Sequence, residues 1–390
     1  MSVLGNRVVR VEDPRFLTVG GTYVADLHDP LLDGAAFVVY ARSTVAHGLL
    51  TDVHVEDAVD APGVVAVFTG SDVDLAPQPP AVPMLNGDMV RPWLAVDRAR
   101  FVGEPIAAVV AERPELAFDA AELVWADYET LPAVIDAENA ATDAVLLFPE
   151  AGTNTSLDLR FDHDDDLFAG CEVVVSHRFL NQRLAACPLE VRGAAAAWDD
   201  KHRIHLFVST QNAHGVRDAL ARHYDLEPGE IRVVAPDVGG GFGPKIGANP
   251  EELLLPWMAR RLGRPVRWHE TRTENMVGLG HGRAQLQDVE IGGRRDGAIE
   301  AYRLTILQDT GAYPSGFGGF LPYLTRMMAP GVYAIPKVEA ASRSVVTNTT
   351  PIHAYRGAGR PEATAAIERA LDLFAAEIGV DPAEVRRRNL

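Results

Sequence analysis

Residues 237–245 read DVGGGFGPK, and four of the five positions from 239 to 243 are glycine. Glycine loses more conformational entropy on ordering than any other residue, so a run of it inside a strand or helix costs roughly 0.5–1 kcal/mol per residue relative to alanine. The run follows the apolar stretch IRVVAP (231–236) and precedes NPEELLLPWMARRLG (249–263). The second stretch reads as a helix with Asn249 as cap, Pro250 at the first position and two glutamates in the first turn. The glycines thus stand where a strand hands over to a helix, either as a tight corner or as a cradle in which bare backbone meets a ligand. A similar hand-over lies upstream, where RIHLFVST (203–210) reads as a strand, NAHGVRDALARHY (212–224) as a helix, and Gln211 falls between them.

The flanking sequence divides into two regions. Up to about residue 140, GAAFVVYARS, GVVAVFTG and EPIAAVVAE alternate with turns, and RPELAFDAAELVWADYE carries Leu116, Ala117, Ala120, Ala121, Leu123 and Val124 at helical spacing after Pro114. A small α+β domain over 1–140 is expected, interrupted by the proline-rich loop LAPQPPAVPMLNGD (75–88). Over 141–166 the pattern breaks, which predicts a linker or an exposed excursion. The run of aspartates around His163, Asp162 and Asp164 to Asp166, lacks the spacing of a calcium loop and reads as a solvated acidic surface. From 167 to 390 a second domain is expected. In it AQLQDVEI and AIEAYRLTILQDTG flank GGRRDG as a hairpin. Near its end a helix presents Ala363, Ile367, Ala370, Leu371, Phe374 and Ile378 on one face and stops at Gly379, before a short helix opened by Asp381 and Pro382.

Composition narrows the function. A chain of 390 residues supports two or three cores. With 36 Lys and Arg against 54 Asp and Glu, the net charge of −18 disfavours nucleic acid or an anionic membrane as the main partner. No run of 18 uncharged apolar residues and no signal-type N-terminus occurs, so no membrane insertion and a cytoplasmic location are expected. Cys171 and Cys187 are the only cysteines, too few for a four-cysteine iron–sulfur cluster, so any such cluster would belong to a partner.

Familiar motifs fail. Pro244 separates Gly243 from Lys245 and Ile246 follows, which breaks the P-loop, and the same residues break G-x-G-x-x-G. No H-E-x-x-H, G-x-S-x-G or C-x-x-C is present. What remains is a second glycine-rich loop, AYRGAGRPEA (354–363), also before a helix and carrying Arg356 and Arg360. Two such loops suit a large phosphorylated cofactor gripped in two places, while turn chemistry alone accounts for most glycines of this kind. The isolated His47, His281 and His353 read as structural, Glu190 in CPLEVRG as a loop residue, and Phe317, Phe320 and Tyr323 as core or as stacking groups.

STQNAH (209–214), DVGGGFGPK, TNTTPIHAYRGAGRPEA (347–363) and DPAEVRRRNL (381–390) resemble, in order and spacing, the molybdopterin-binding large subunit of the xanthine oxidase family. RVEDPRFLTVGGTYVADL (10–27) and FVGEPIAAVVAE (101–112) resemble that family's N-terminal hammerhead domain. The resemblance implies an α+β chain, an α/β hammerhead domain followed by the first molybdopterin-binding domain, with the second one missing. It implies molybdenum held by the dithiolene of a pterin, in the cytosine dinucleotide form. Gln211 would lie near the metal's oxo group and the pterin, Phe242 and Gly243 would present backbone, Gly240 and Gly241 would permit the approach, and Arg356 with Gly357 would form the opposite wall. No protein side chain is expected as a metal ligand.

The implied function is a component of a molybdenum hydroxylase or dehydrogenase that oxidises an aldehyde or an N-heterocycle C–H with oxygen from water. Electrons would pass to partner subunits carrying [2Fe-2S] clusters and FAD. The family's activating glutamate lies in the missing half, so the catalytic set is expected to be completed by a polypeptide carrying the C-terminal molybdopterin domain, the present chain being a truncation or one piece of a split subunit. Gly357 stands where carbon monoxide dehydrogenases have a copper-binding cysteine, and Ile246 where purine oxidisers have a glutamate. A non-catalytic assembly subunit of the same fold without metal is the second reading.

Overall fold

The apolar runs before residue 140 form six strands: β1 (Ala36–Arg42), β2 (Gly48–His54), β3 (Val64–Thr69), β4 (Arg98–Ala99), β5 (Pro105–Ala111) and β6 (Trp125–Thr130). They are described in a computed structural model that covers residues 4–80, 82–160, 163–314 and 318–390, so Asp162 and Phe317 lie outside the described residues. β5 (PIAAVVA) is buried along its whole length, as an unbroken apolar strand should be when both faces are covered. It pairs antiparallel with β1 and β3. The helix Pro114–Ala121 buries Ala117 and Ala120 beside it and ends before Leu123. β4, β2 and β6 make a separate three-stranded sheet in that order.

Nine more strands follow: β7 (Thr155–Leu159), β8 (Val173–Asn181), β9 (Gly193–Trp198), β10 (Ile204–Val208), β11 (Ile231–Val234), β12 (Val266–His269), β13 (Gln285–Gly293), β14 (Ile299–Asp309) and β15 (Lys337–Val345). One seven-stranded sheet has the order β11-β10-β9-β12-β1-β5-β3. Its middle joint is the parallel pairing of Ala36 with Val266, Phe37 with Arg267 and Val38 with Trp268. Strands from both sides of residue 140 therefore share one sheet and one core, in which Val38, Val110, Leu206, Val266 and Trp268 are buried together.

The second sheet has the order β7-β15-β14-β13-β8. Its hairpin β13/β14 turns at Arg294–Ala298, where Gly297 takes φ +96, a left-handed conformation glycine adopts freely. The helix Arg360–Ile378 covers the sheet with Ile367, Ala370, Leu371 and Phe374, is stopped by left-handed Gly379, and hands over to a helix capped by Asp381.

The stretch read as a linker or excursion, 141–166, is packed at its centre. Leu147 and Phe148 are buried against Tyr313 and Val345, Asn154 binds the Ala140 and Val145 carbonyls, and Thr155–Leu159 is an edge strand paired with β15. Burial of two large apolar side chains outweighs the polar composition around them. His163 to Asp166 are exposed, and His163 meets Glu339 at 3.0 Å. Among the described residues no helix is long and apolar enough to cross a membrane.

Candidate functional site

β10 and β11 run parallel, from Ile204 opposite Ile231 to Phe207 opposite Val234. Loops that leave neighbouring parallel strands at their carboxyl ends emerge side by side and form a crevice. Gln211 leaves β10 and caps into the helix Ala213–Tyr224 through Asn212, whose side chain accepts from the Gly215 N–H. The glycine loop leaves β11. The two are tied together: the Gly243 N–H donates to Gln211 Oε1 at 2.8 Å, and the Gln211 N–H donates to the Lys245 carbonyl at 2.8 Å.

The loop after β15 joins them from the other sheet. The Arg356 N–H donates to the Phe242 carbonyl at 2.8 Å. Close approach explains the bare positions. At Gly243, with φ +117, a Cβ would lie 2.2 Å from the Ala354 carbonyl oxygen; at Gly241 it would lie 2.3 Å from Gln211 Oε1. Real Cβ atoms do not approach so closely, so side chains are excluded where the loops touch. Gly240 (φ +103) faces the Phe242 ring, and Gly357 (φ +98) turns the chain beside Pro361.

The sequence-predicted residues therefore converge: Gln211, Gly240, Gly241, Phe242, Gly243, Arg356 and Gly357 belong to three touching loops. Phe242 takes a positive φ of 58 and leaves its ring 40% exposed. Gln211, Arg356 and Gly357 are exposed beside it. Among the described residues the N–H groups of Gly240, Gly241 and Phe242 meet no acceptor, and the Arg356 guanidinium has no partner. Free peptide donors with no Cβ before them suit an anionic or strongly polar group.

A network under the loop holds this shape. The Lys245 ammonium, 1% exposed, donates to the Glu190 carbonyl at 2.8 Å, the Ser209 hydroxyl at 2.9 Å, and Glu190 Oε2 and the Val191 carbonyl at 3.2 Å. Glu190 Oε2 also accepts from Ser209 Oγ and the Gly239 N–H, each at 2.7 Å. Burial lowers the Lys245 pKa and the Glu190 carboxylate opposes that shift. At the loop's start Asp237 accepts two bonds from Arg15, at 2.6 and 2.7 Å, which hold its carboxyl down at about 2. Arg283 supports the other loop, donating to the Tyr355 and Arg356 carbonyls and to Glu362.

Sequence reasoning missed Ser209, Lys245, Arg283 and Glu362 as supports. Lys245 carried a signal, a charge ending a run of glycine and apolar residues. Arg283 carried none, because 72 residues separate it from Tyr355. Below lies a buried ionic cluster: Arg192, with no exposure, is 3.1 Å from Glu251 and 2.8 Å from Glu270, and Arg42 also reaches Glu251 at 3.1 Å. Burial would raise the Glu251 pKa, but Arg192 and Arg42 hold it well below the carboxylate range. Glu252, which accepts from the Asn249 N–H at 2.6 Å, is pushed up to about 7 by burial.

Two of the three lone histidines have protein partners of a structural kind. His47 lies between the Pro132 carbonyl and Arg98, and His281 meets the Met276 carbonyl at 2.9 Å. Burial lowers His353 to about 4. Phe320 and Tyr323 stack on each other with centroids 4.7 Å apart.

Residues 19–132 match the family model of the aldehyde oxidase and xanthine dehydrogenase a/b hammerhead domain, and residues 147–390 that of the molybdopterin cofactor-binding domain. The chain is 35% identical to the nicotine 6-hydroxylase large subunit of Paenarthrobacter nicotinovorans, an alignment covering 100% of this chain and 48% of that subunit. It is 33% identical to the carbon monoxide dehydrogenase large chain of Hydrogenophaga pseudoflava, over 98% of this chain and 50% of the other. Quinoline 2-oxidoreductase from Pseudomonas putida 86 superposes with a TM-score of 0.93 at 36% identity, covering 100% of this chain and 50% of that one. The chain spans about half the length of these relatives. With both of its regions matched in order and the three loops joined as described, the chain belongs to the xanthine oxidase family of molybdopterin-binding large subunits.

Proposed function

We propose that this chain forms one wall of a molybdenum–pterin centre in a complex that oxidises an aldehyde or an N-heterocyclic C–H. When bound, that group supplies the two-electron oxidation, with oxygen drawn from water. The residues present fit it: three unpaired peptide N–H groups at Gly240, Gly241 and Phe242, a cradle at Gly241 and Gly243 that a Cβ would fill, and an exposed arginine opposite. Gln211 spends its carbonyl oxygen on the Gly243 N–H, so its amide NH2 is the end left to meet a ligand oxygen. Fixed donors of this kind stabilise charge developing on oxygen, by about 2.7–4 kcal/mol per donor in well-measured acyl-transfer sites. Phe242 provides the apolar side of the pocket, and the Lys245–Glu190–Ser209 network keeps the donors in place.

The cytosine dinucleotide form of the cofactor, a polypeptide with the second molybdopterin domain and its carboxylate base, and partner subunits with [2Fe-2S] and FAD belong to this reading. The half-length match to the relatives supports the second polypeptide. Gly357 offers no thiolate for copper, which favours C–H oxidation over oxidation of carbon monoxide.

The observation that carries the proposal is the joining of the three loops through the Gly243–Gln211 and Phe242–Arg356 bonds. The test is co-expression with a polypeptide supplying the second domain and with the iron–sulfur and flavin polypeptides, followed by elemental analysis. About one molybdenum per complex, lost in Gly241→Val, is expected. No molybdenum in any combination would overturn the proposal in favour of the non-catalytic assembly subunit.

A further inference from the structure

Gly243 also lines a cleft of about 480 Å³ bordered by Gln78, Pro79, Pro80 and Val82 of the proline-rich stretch and by the helix Ala213–Tyr224. That is the size of a small-molecule site. Its walls are mainly apolar, with Pro79, Val82, Met89, Ile246 and Leu253 among them. Its charged lining is of one sign. Arg91 and Arg222 line it, and no Asp or Glu does among the described residues, although the chain as a whole carries a net −18. His223 and His353 also line it, but burial lowers both pKa values, His353 to about 4, so His353 adds no charge at neutral pH.

Arg91 is the unusual member. It is only 6% exposed, yet among the described residues its guanidinium has neither a carboxylate partner nor a hydrogen-bond acceptor. Its charge meets only aromatic rings, Tyr313 at 5.2 Å and Phe101 at 5.9 Å. Two buried carboxylates feel it at longer range, and both are engaged elsewhere: Glu251 by Arg192 and Arg42, and Glu104 by the Arg100 N–H and the Tyr313 hydroxyl. A buried cation without a hydrogen-bonded counter-charge is costly. Directly across an antiparallel bridge sits Gln78, which also lines the cleft; its Nε2 has no partner and is covered, so it meets a ligand once its amide turns outward. Residues opposite one another in an antiparallel pair project to the same side. The bridge therefore sets two donors without partners side by side at one end of an apolar cleft.

We infer that this cleft receives a small aromatic carboxylate, its oxygens taken by Arg91 and Gln78 and its ring by the apolar walls. A guanidinium fits a planar carboxylate with two parallel bonds, and two side chains among apolar walls suit a monoanion with an apolar body better than a phosphate, whose greater charge calls for more donors. The inference deepens the proposed function, because it makes the substrate, or an inhibitor resembling it, an anion. Its recognition step needs no metal.

The test is calorimetric titration of the purified chain with benzoate, with benzyl alcohol as the neutral counterpart, and with inorganic phosphate. Benzoate is expected to bind and benzyl alcohol and phosphate are not; Arg91→Met weakens benzoate binding at least tenfold, and Arg91→Lys weakens it less. Gln78→Leu, which relieves a buried unpaired amide, keeps the chain folded and serves as second variant if Arg91→Met does not fold; it also weakens benzoate. Equal binding of benzoate and benzyl alcohol, or benzoate binding unchanged in the variants, overturns the inference. Phosphate binding without benzoate binding overturns the carboxylate assignment and gives the cleft to a phosphorylated ligand. Molybdenum content of the assembled complex is read separately. Arg91-dependent benzoate binding without molybdenum sinks the proposed centre and keeps this site, and the converse result sinks this site alone.

Discussion

Gly243→Ala should damage this protein far more than Gly241→Ala, although both put a methyl group against an atom barely more than 2 Å away. At Gly243 that atom is the backbone oxygen of Ala354, 2.2 Å from the new Cβ, and φ is +117. The strained backbone costs about 1–3 kcal/mol. The overlap is relieved only if the two loops part, which breaks the Arg356–Phe242 bond between them, worth about 0.5–1.5 kcal/mol. The expected loss is about 1.5–4.5 kcal/mol. At Gly241 the obstacle is the end of the Gln211 side chain, 2.3 Å away, and the backbone is not left-handed. Gln211 can swing out with loss of one bond, about 0.5–1.5 kcal/mol. Gly247→Ala, with nothing within 4 Å, is the control and should be neutral or stabilising by up to about 1 kcal/mol through the unfolded chain. The assay is urea unfolding of the three variants in the native and Gln211→Ala backgrounds. In the Gln211→Ala background the cost of Gly241→Ala should vanish and most of that of Gly243→Ala persist. The loop-contact reasoning is refuted if Gly243→Ala is no worse than Gly241→Ala, or if both costs vanish together.

Other outcomes can be checked alongside. Lys245→Met should destabilise by about 3–5 kcal/mol by leaving the Glu190 carboxylate without its ammonium, and Glu190→Gln in the same background should recover part of that loss; strict additivity in urea titrations would count against the network. Arg192→Met, which strands Glu251 and Glu270, should cost at least as much, measured in the same way. Glu252 keeps a proton up to about pH 7 in the folded chain, against 4.5 for an ordinary glutamate. Between these values the folded state holds a proton that the unfolded state has lost, so its contribution to stability falls as pH rises and levels off above 7. Glu252→Gln should remove this fall, seen as a change in the difference between variant and native unfolding midpoints from pH 5 to 8; parallel curves would contradict the buried-acid assignment.

Most individual elements could be read locally. Asp381 caps the helix its sequence predicts, Gly379 stops the long helix, and the face made by Ile367, Ala370, Leu371 and Phe374 is the face that packs. The stretch 249–263, read as one helix, instead forms one turn after Asn249, Pro250–Leu253, and then a second helix, Leu255–Leu262, with Pro256 in its first turn. Spacing along one chain decides such features, because caps, turns and amphipathic faces involve residues a few positions apart. The segment 141–166 was harder, since Leu147 and Phe148 find their partners at Tyr313 and Val345 far along the chain.

The sequence by itself determined where bare backbone would lie and which residues would flank it, because glycine's lack of a Cβ is a property of the residue wherever it is placed. Only the tertiary structure decided what the glycines face. Parallel pairing of β10 with β11 sets Gln211 beside the glycine loop, Arg283 brings Tyr355 and Arg356 to it, and a two-residue bridge leaves Arg91 and Gln78 unpaired in a cleft. Those juxtapositions join residues 13 to 73 positions apart, and no local pattern records them, since they arise from burying two sheets and their helices against one another.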